Sequence, residues 1–303
     1  MSLEIAPAPA SLGGASAFTM PAGACDCHVH VFDPARFPLA AHRTYTPGIA
    51  SIAALEGLLA SLGVARTVLV QPSVYGDDNS CLLEALHHLG ERARAVIVID
   101  PETVTDAQLR DFHDAGARGV RVNLESKGET RTTAARDAFI ATAARVAGHG
   151  FAVQIYADMS LLTGLADAIA AAPVQVVLDH FAGAKAERGP DQPGFAELLD
   201  LFATGHVWVK LSAPYRASRD PSHADLAPIA RAMIAARPDR LVWASDWPHT
   251  GGGKDRALLG PEAVEPFRTI DDMAALRELA GWCGEERIFQ RILADNAAQL
   301  FDF

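Results

Sequence analysis

The sequence predicts an α/β fold, a (β/α)8 TIM barrel, on three observations. Eight short apolar or alternating runs are separated by stretches of helical periodicity. The turns leading from helix to strand are short, as in Leu62-Gly63-Val64-Ala65 and Gly148-His149-Gly150, whereas the loops leaving strands one, six, seven and eight are long. Polar residues gather at the C-terminal ends of the runs, where such barrels build their sites. An open doubly wound sheet would usually carry a glycine-rich phosphate turn after its first strand, and none occurs here. No repeat or internal boundary shows, so the reading is a single domain over 24–303 behind a flexible N-terminal arm over 1–23.

The chain of 303 residues is half hydrophobic, enough for one large core. Its formal net charge of −11 argues against a nucleic-acid partner and against attraction to an anionic membrane. An anionic substrate must then be met by a local cluster of Arg and Lys. Cys25, Cys27, Cys81 and Cys283 form no CxxC pair and no zinc-ribbon spacing, and read as reduced thiols of a cytoplasmic protein. The arm is rich in Ala, Pro, Gly and Ser, lacks a basic start, and could strap one subunit to another in a homo-oligomer. Nowhere is an apolar run long enough for an export signal or a bilayer span.

The first strand is Cys25-Asp26-Cys27-His28-Val29-His30-Val31-Phe32. Alternation turns His28 and His30 to one face, with Val29 and Val31 on the other and Cys27 away from the histidines. An irregular stretch holding Arg36, Arg43 and Tyr45 leads to a helix over 52–62, ended by Gly63. The β-branched run 66–71 is a buried strand stopped by Pro72, followed by a helix over 79–92. Strand and helix then alternate: strand 95–99 and helix 105–115, strand 118–123 and helix 133–149, strand 151–156 and helix 160–172. The sixth strand, 174–179, runs into His180 and a Gly/Pro-rich loop before a helix over 195–204. The seventh, 207–211, precedes a helix over 223–236, and the eighth, 240–245, is capped by Asp246-Trp247-Pro248-His249. Helices over 270–280 and 285–300 close the chain.

The strand ends bring up His28, His30, Gln71, Ser73, Arg121, Asn123, Gln154, Tyr156, His180, Lys210, Ser212 and Asp246. Gln71, Asn123 and Lys210 read at least as readily as satisfied core polar groups. Three histidines and an aspartate at one mouth point to chemistry, because imidazoles hold metals or donate to oxyanions and buried polar groups are costly without use.

Four motifs carry a resemblance: the Asp26-to-Phe32 opening, Leu178-Asp179-His180-Phe181, Lys210-Leu211-Ser212-Ala213-Pro214-Tyr215-Arg216, and Trp243-Ala244-Ser245-Asp246-Trp247-Pro248-His249. From about Ala24 to the C-terminus the chain resembles the amidohydrolase superfamily, of the amidohydrolase-2 type. Within it the chain is similar to the branch of 2-pyrone-4,6-dicarboxylate lactonases and D-galactarolactone isomerases. The superfamily commonly holds one or two divalent ions on an HxH pair, histidines of strands five and six, and the last-strand Asp, often with a carboxylated Lys. Here the matching positions are His28, His30, His180 and Asp246, with Tyr156 on strand five and Arg121 and Asn123 on strand four. A permanent guanidinium opposes a dication. The expectation is no obligatory metal, as the resembled lactonases imply, the alternative being a single zinc on His28, His30, His180 and Asp246.

The implied chemistry is hydrolysis of a carboxylated lactone, pyrone-dicarboxylate-like or a sugar-acid lactone, the small anionic molecule being the chain's partner. Asp246 serves as base, its basicity raised by desolvation, and His28, His30 and His180 donate to the carbonyl oxygen. Arg121, Arg216, Tyr45, Tyr156, Ser73 and Lys127 form the clamp. Lys127, within Glu125-Ser126-Lys127, stands where the resembled dicarboxylate enzymes use a second Arg, which favours a less charged lactone. Tyr215 and Trp247 could flank the ring. The alternatives are a sugar-acid lactone isomerase and a metal-dependent decarboxylase or hydrolase of the same superfamily.

Overall fold

Eight parallel strands form the sheet of the computed structural model, which describes residues 18–124, 131–251, 256, 258 and 260–303. They are β1 (Cys25–Val29), β2 (Arg66–Val70), β3 (Ala93–Ile97), β4 (Ala117–Asn123), β5 (Ala152–Tyr156), β6 (Val176–Leu178), β7 (Val207–Ser212) and β8 (Leu241–Ala244). Each pairs with the next in sequence. The ring closes between β1 and the end of β8, through the parallel bridge Val29–Trp247 and the bonds from Asp246 N to His28 O and from His30 N to Trp247 O. The predicted barrel is therefore the observed one. Of the expected arm, residues 1–17 lie outside the described residues, and Phe18 packs its ring 4.7 Å from Phe289.

Alternation divides the wall. Val207, Val209 and Leu211 of β7 face the helices, whereas Trp208 joins an inner cluster with Cys25, Cys27, Val68, Val70, Val96, Val177 and Val242. Ala297, Leu300 and Phe301 of the final helix, Asn296–Phe301, close this cluster from below. At the same end Arg66 and Arg94, near the starts of β2 and β3, stack on Phe303. The N-terminal pole is thus sealed, which leaves the C-terminal pole for a site.

The helix Ile52–Leu62 has the predicted bounds, fixed by Ser51 accepting from Ala54 N and by Gly63 in the left-handed region. Other expectations need correction. β3 begins two residues earlier than the expected strand, because the helix Ser80–Leu89 ends at Gly90 and a single 3-10 turn completes the crossover. The helix expected over 160–172 is two, Met159–Gly164 and Ala166–Ala170, broken at Leu165. The last expected helix contains a π turn, Arg291–Asp295. Thr46–Pro47 and Val264–Glu265 form a two-stranded ribbon unseen in the sequence, since neither run is long enough to show a period.

The first strand is not the uninterrupted alternation expected. Its register slips between Asp26 and Val29. Cys25 and Cys27 therefore face the barrel interior, directly beneath His28 and His30, while Val29 and Val31 face the helices. Cys27 is thus on the histidines' side of the wall rather than the opposite one.

Candidate active site

His28, on β1, and His30, immediately after it, have their Nε2 atoms 3.3 Å apart. His180 follows β6 and its ring centroid lies 5.0 Å from that of His28. Asp246 follows β8, and its Oδ1 is 3.6 Å from His28 Nε2, 3.7 Å from His30 Nε2 and 3.8 Å from His180 Nε2. Four groups from three separate strands thus converge on one point, and all are buried.

Each ring is held from behind. His30 Nδ1 lies 2.7 Å from Val70 O, and His180 Nδ1 lies 2.8 Å from Ser212 Oγ. His28 Nδ1 faces Lys210 Nζ at 3.2 Å and Asp179 Oδ1 at 3.3 Å. Burial pushes the pKa of His30 and His180 down to about 4 and that of His28 well below its usual value, so all three rings are neutral at neutral pH.

Asp246 differs from expectation. Burial alone would raise its pKa, but Arg216 and the three imidazoles more than offset this and hold the carboxyl well below the usual carboxylate range. Arg216 Nε donates to Asp246 Oδ2 at 2.8 Å and Tyr215 OH donates to the same oxygen at 2.7 Å, leaving Oδ1 toward the histidines. Arg216 is fixed in turn by Thr250 O, Thr250 Oγ1 and Gly251 O.

A second carboxylate underlies the site. Asp179 Oδ2 accepts from Gln154 Nε2 at 2.9 Å and faces Arg121 at 3.5 Å, and its Oδ1 lies 3.5 Å from Lys210 Nζ. Arg121 also donates to Gln71 O at 3.0 Å. With the imidazoles neutral, Arg121, Lys210 and Arg216 face Asp179 and Asp246: three cations against two anions.

The other expected clamp residues are placed unevenly. Tyr156 stands edge-on to His180 at 4.9 Å, with the Arg121 guanidinium 5.9 Å from its ring. Tyr45 is buried under Arg256, 3.9 Å from guanidinium to ring centre, and burial raises its pKa to about 12. Ser73 opens the 3-10 turn Ser73–Tyr75 after β2, half-buried. Lys127 lies outside the described residues. Asp179, Gln154, Tyr215 and Thr250 contribute more than the sequence suggested. The signal for Asp179 was its place beside His180; nothing in the sequence marked Thr250.

The loops carrying these groups adopt unusual backbone. His180, Phe181 and Ala182 after β6, Ala213 after β7, and Asp246 and His249 after β8 all have positive φ, between 48° and 68°. Such conformations cost side-chain-bearing residues about 1–3 kcal/mol each and persist where the surroundings enforce them. Their gathering on one rim marks the rim as built for placement.

A divalent ion would find donors here but not a suitable field. His28, His30 and Asp246 offer ligand atoms spaced for one divalent ion. The charges do not suit it: Asp246 is already neutralised by Arg216, and a surplus cation adjoins the cluster. The spacing fits a dication and the electrostatics oppose one.

Residues 25–303 match the amidohydrolase family model, which covers nearly the whole chain. The chain belongs to the amidohydrolase family. It is 38% identical over 243 residues to a 2-pyrone-4,6-dicarboxylate hydrolase of Comamonas testosteroni, covering 77% of this chain and 79% of that one. It is 33% identical over 288 residues to a 4-sulfomuconolactone hydrolase of Hydrogenophaga intermedia, covering 94% and 90%. A solved structure from Pseudomonas putida, described as a candidate 2-pyrone-4,6-dicarboxylic acid hydrolase, superposes with a TM-score of 0.76 at 32% identity, covering 93% of this chain and 98% of that one. The amidohydrolase barrel is thus shared.

Proposed function

We propose that this amidohydrolase opens an anionic lactone, carboxylated or sulfonated, by attack of water that Asp246 deprotonates, without an obligatory metal. The observation that carries the reading is the single free carboxylate oxygen of Asp246, ringed by three neutral imidazoles beside a surplus of positive charge. The related hydrolases act on lactones bearing carboxylate or sulfonate groups.

Water held between Asp246 Oδ1 and the imidazoles gives its proton to the carboxylate as its oxygen bonds to the lactone carbonyl carbon. The carbonyl oxygen gains the negative charge and needs N–H donors. His30 is unsuited to that part, because Val70 O can only accept and therefore takes the Nδ1 proton of His30, leaving Nε2 a lone pair. His28 and His180 are the donors, and His30 accepts from the water and orients it. When the tetrahedral intermediate collapses, the ring C–O bond breaks and the departing oxygen recovers the proton from Asp246. Arg121 and Tyr156 face the substrate's anionic group, while Arg216 chiefly holds the base. The four cysteines, all free and buried, suit a cytoplasmic setting. Among the described residues no helix is long and apolar enough to cross a membrane.

Asp246→Asn tests the reading. Turnover across a panel of pyrone dicarboxylates, sulfolactones and aldarolactones is expected to fall about 10²–10⁴-fold with folding retained. Wild-type rates in that variant would remove Asp246 from the base role. Proton NMR of the products separates hydrolysis from isomerisation, and undiminished rates after chelation support the metal-free course.

A further inference from the structure

We infer that Lys210 is a positioning residue: it fixes the tautomer of His28, placing the ring proton on Nε2, where the substrate carbonyl is met. The proposed hydrolysis supplies only the kinetic readout; the tautomer itself can be observed without turnover.

Lys210 stands on β7, fully buried, between the barrel interior and the histidines. Its ammonium has three N–H donors and no acceptor. Four acceptors surround it, Gln154 Oε1 at 2.7 Å, Cys27 O at 2.8 Å, His28 Nδ1 at 3.2 Å and Asp179 Oδ1 at 3.5 Å, and the three nearest match its three donors. For the third contact to be a hydrogen bond, His28 Nδ1 must present its lone pair. A ring that accepts at Nδ1 carries its single proton on Nε2.

The other side of the ring agrees with this arrangement without imposing it, since water can also satisfy His30 Nε2. His30 has its proton on Nδ1, directed at Val70 O, and can only accept at Nε2. The 3.3 Å contact between the two Nε2 atoms therefore needs its proton from His28. In the resting site a directional chain results: Lys210 donates to His28, His28 to His30, and His30 to Val70 O; when water and substrate enter, the His28 proton turns to the carbonyl oxygen and the released lone pair of His30 accepts from the water.

The rival tautomer would put the proton on Nδ1 and aim it at Asp179. Asp179 Oδ1 lies 3.3 Å from that nitrogen, yet it has no hydrogen-bond partner among the described residues. The carboxylate is near enough to take the proton and is not aligned to do so. Asp179 stabilises Lys210, and Lys210 addresses the ring. The β1 register slip contributes here, since it brings Cys27 O and His28 Nδ1 to the same ammonium.

The test is long-range proton–nitrogen NMR on enzyme labelled with ¹⁵N in its histidine rings, with His28 signals identified by their loss in His28→Gln. At pH 7 the wild type is expected to show the Nε2–H pattern for His28. Lys210→Met is expected to shift His28 toward the Nδ1–H form facing Asp179, with kcat reduced about 10–100-fold and KM little changed. An Nδ1–H pattern in the wild type overturns the inference without any variant, so the test stands even if Lys210→Met does not fold. So does a Lys210→Met enzyme that keeps the Nε2–H pattern, whatever its activity, because Lys210 would then only be supporting the fold. Loss of activity in Asp246→Asn bears on the hydrolytic reading alone and leaves the tautomer result unaffected.

Discussion

Asp246 is held by two opposing influences, and the balance has a measurable consequence. Burial favours its neutral form, while Arg216 at 2.8 Å and the imidazoles favour the anion and prevail. The group is consequently ionised throughout the neutral range and is a weaker base than an isolated buried carboxyl would be. In a pH profile of kcat/KM, activity falls as pH drops through the pKa of the free enzyme's base. In the wild type the limb is expected near pH 4, where His30 takes a proton and loses the lone pair that orients the water, because Asp246 stays ionised below that point. In Arg216→Met burial is less fully opposed, the pKa of Asp246 rises past that of His30, and the limb should move to higher pH. A limb that stays in place would show that Arg216 does not control the base. The types and strand-end positions of His28, His30, His180 and Asp246 were legible in the sequence. Their partners were less so: Arg216 is 30 residues from Asp246 and meets it only when β7 and β8 lie side by side. Lys210, equally a core residue or a functional one by pattern alone, acquires a role only from the acceptors around it.

At the level of elements, the loop after β6 shows how local backbone serves the site. Three successive residues with positive φ, His180 to Ala182, end at Gly183, whose φ is +72°. A Cβ there would lie 2.6 Å from Met159 N and 2.8 Å from Ala157 O, so the loop after β6 presses on the backbone of the loop after β5. Gly183→Ala is expected to destabilise the protein by roughly 2 kcal/mol or more in denaturant unfolding. It should also lower kcat, since the displaced loop carries His180. Unchanged stability and kcat would mean that the two loops yield without cost. The barrel strands were legible because each is a short apolar run of recognisable period. The slip in β1 was not, because Asp-Cys-His-Val-His reads as unbroken alternation and a bulge depends on the neighbouring strand. The break at Leu165 was hidden for a similar reason, both halves keeping helical periodicity across it.

For the molecule as a whole, a net charge of −11 surrounds a mouth where cations outnumber carboxylates. The general field repels an anionic substrate and the local one must retain it, with low-dielectric walls strengthening the local term. Arg121→Met should therefore raise KM for an anionic lactone about 10–100-fold while changing KM for its neutral ester about twofold or less. Equal effects on the two substrates would remove Arg121 from anion recognition.

The rim of this barrel is uneven in how much variation it can absorb. The corners after β6, β7 and β8 demand backbone shapes that few side chains accept, and they hold the reacting groups in place. Altered ring preference, whether arrived at by drift or by directed selection, has more room in the long connection after β1 and the turn at Ser73, where no side-chain-bearing residue has a positive φ. Chemistry and choice of substrate would then be free to change separately, each on its own arc of the wall.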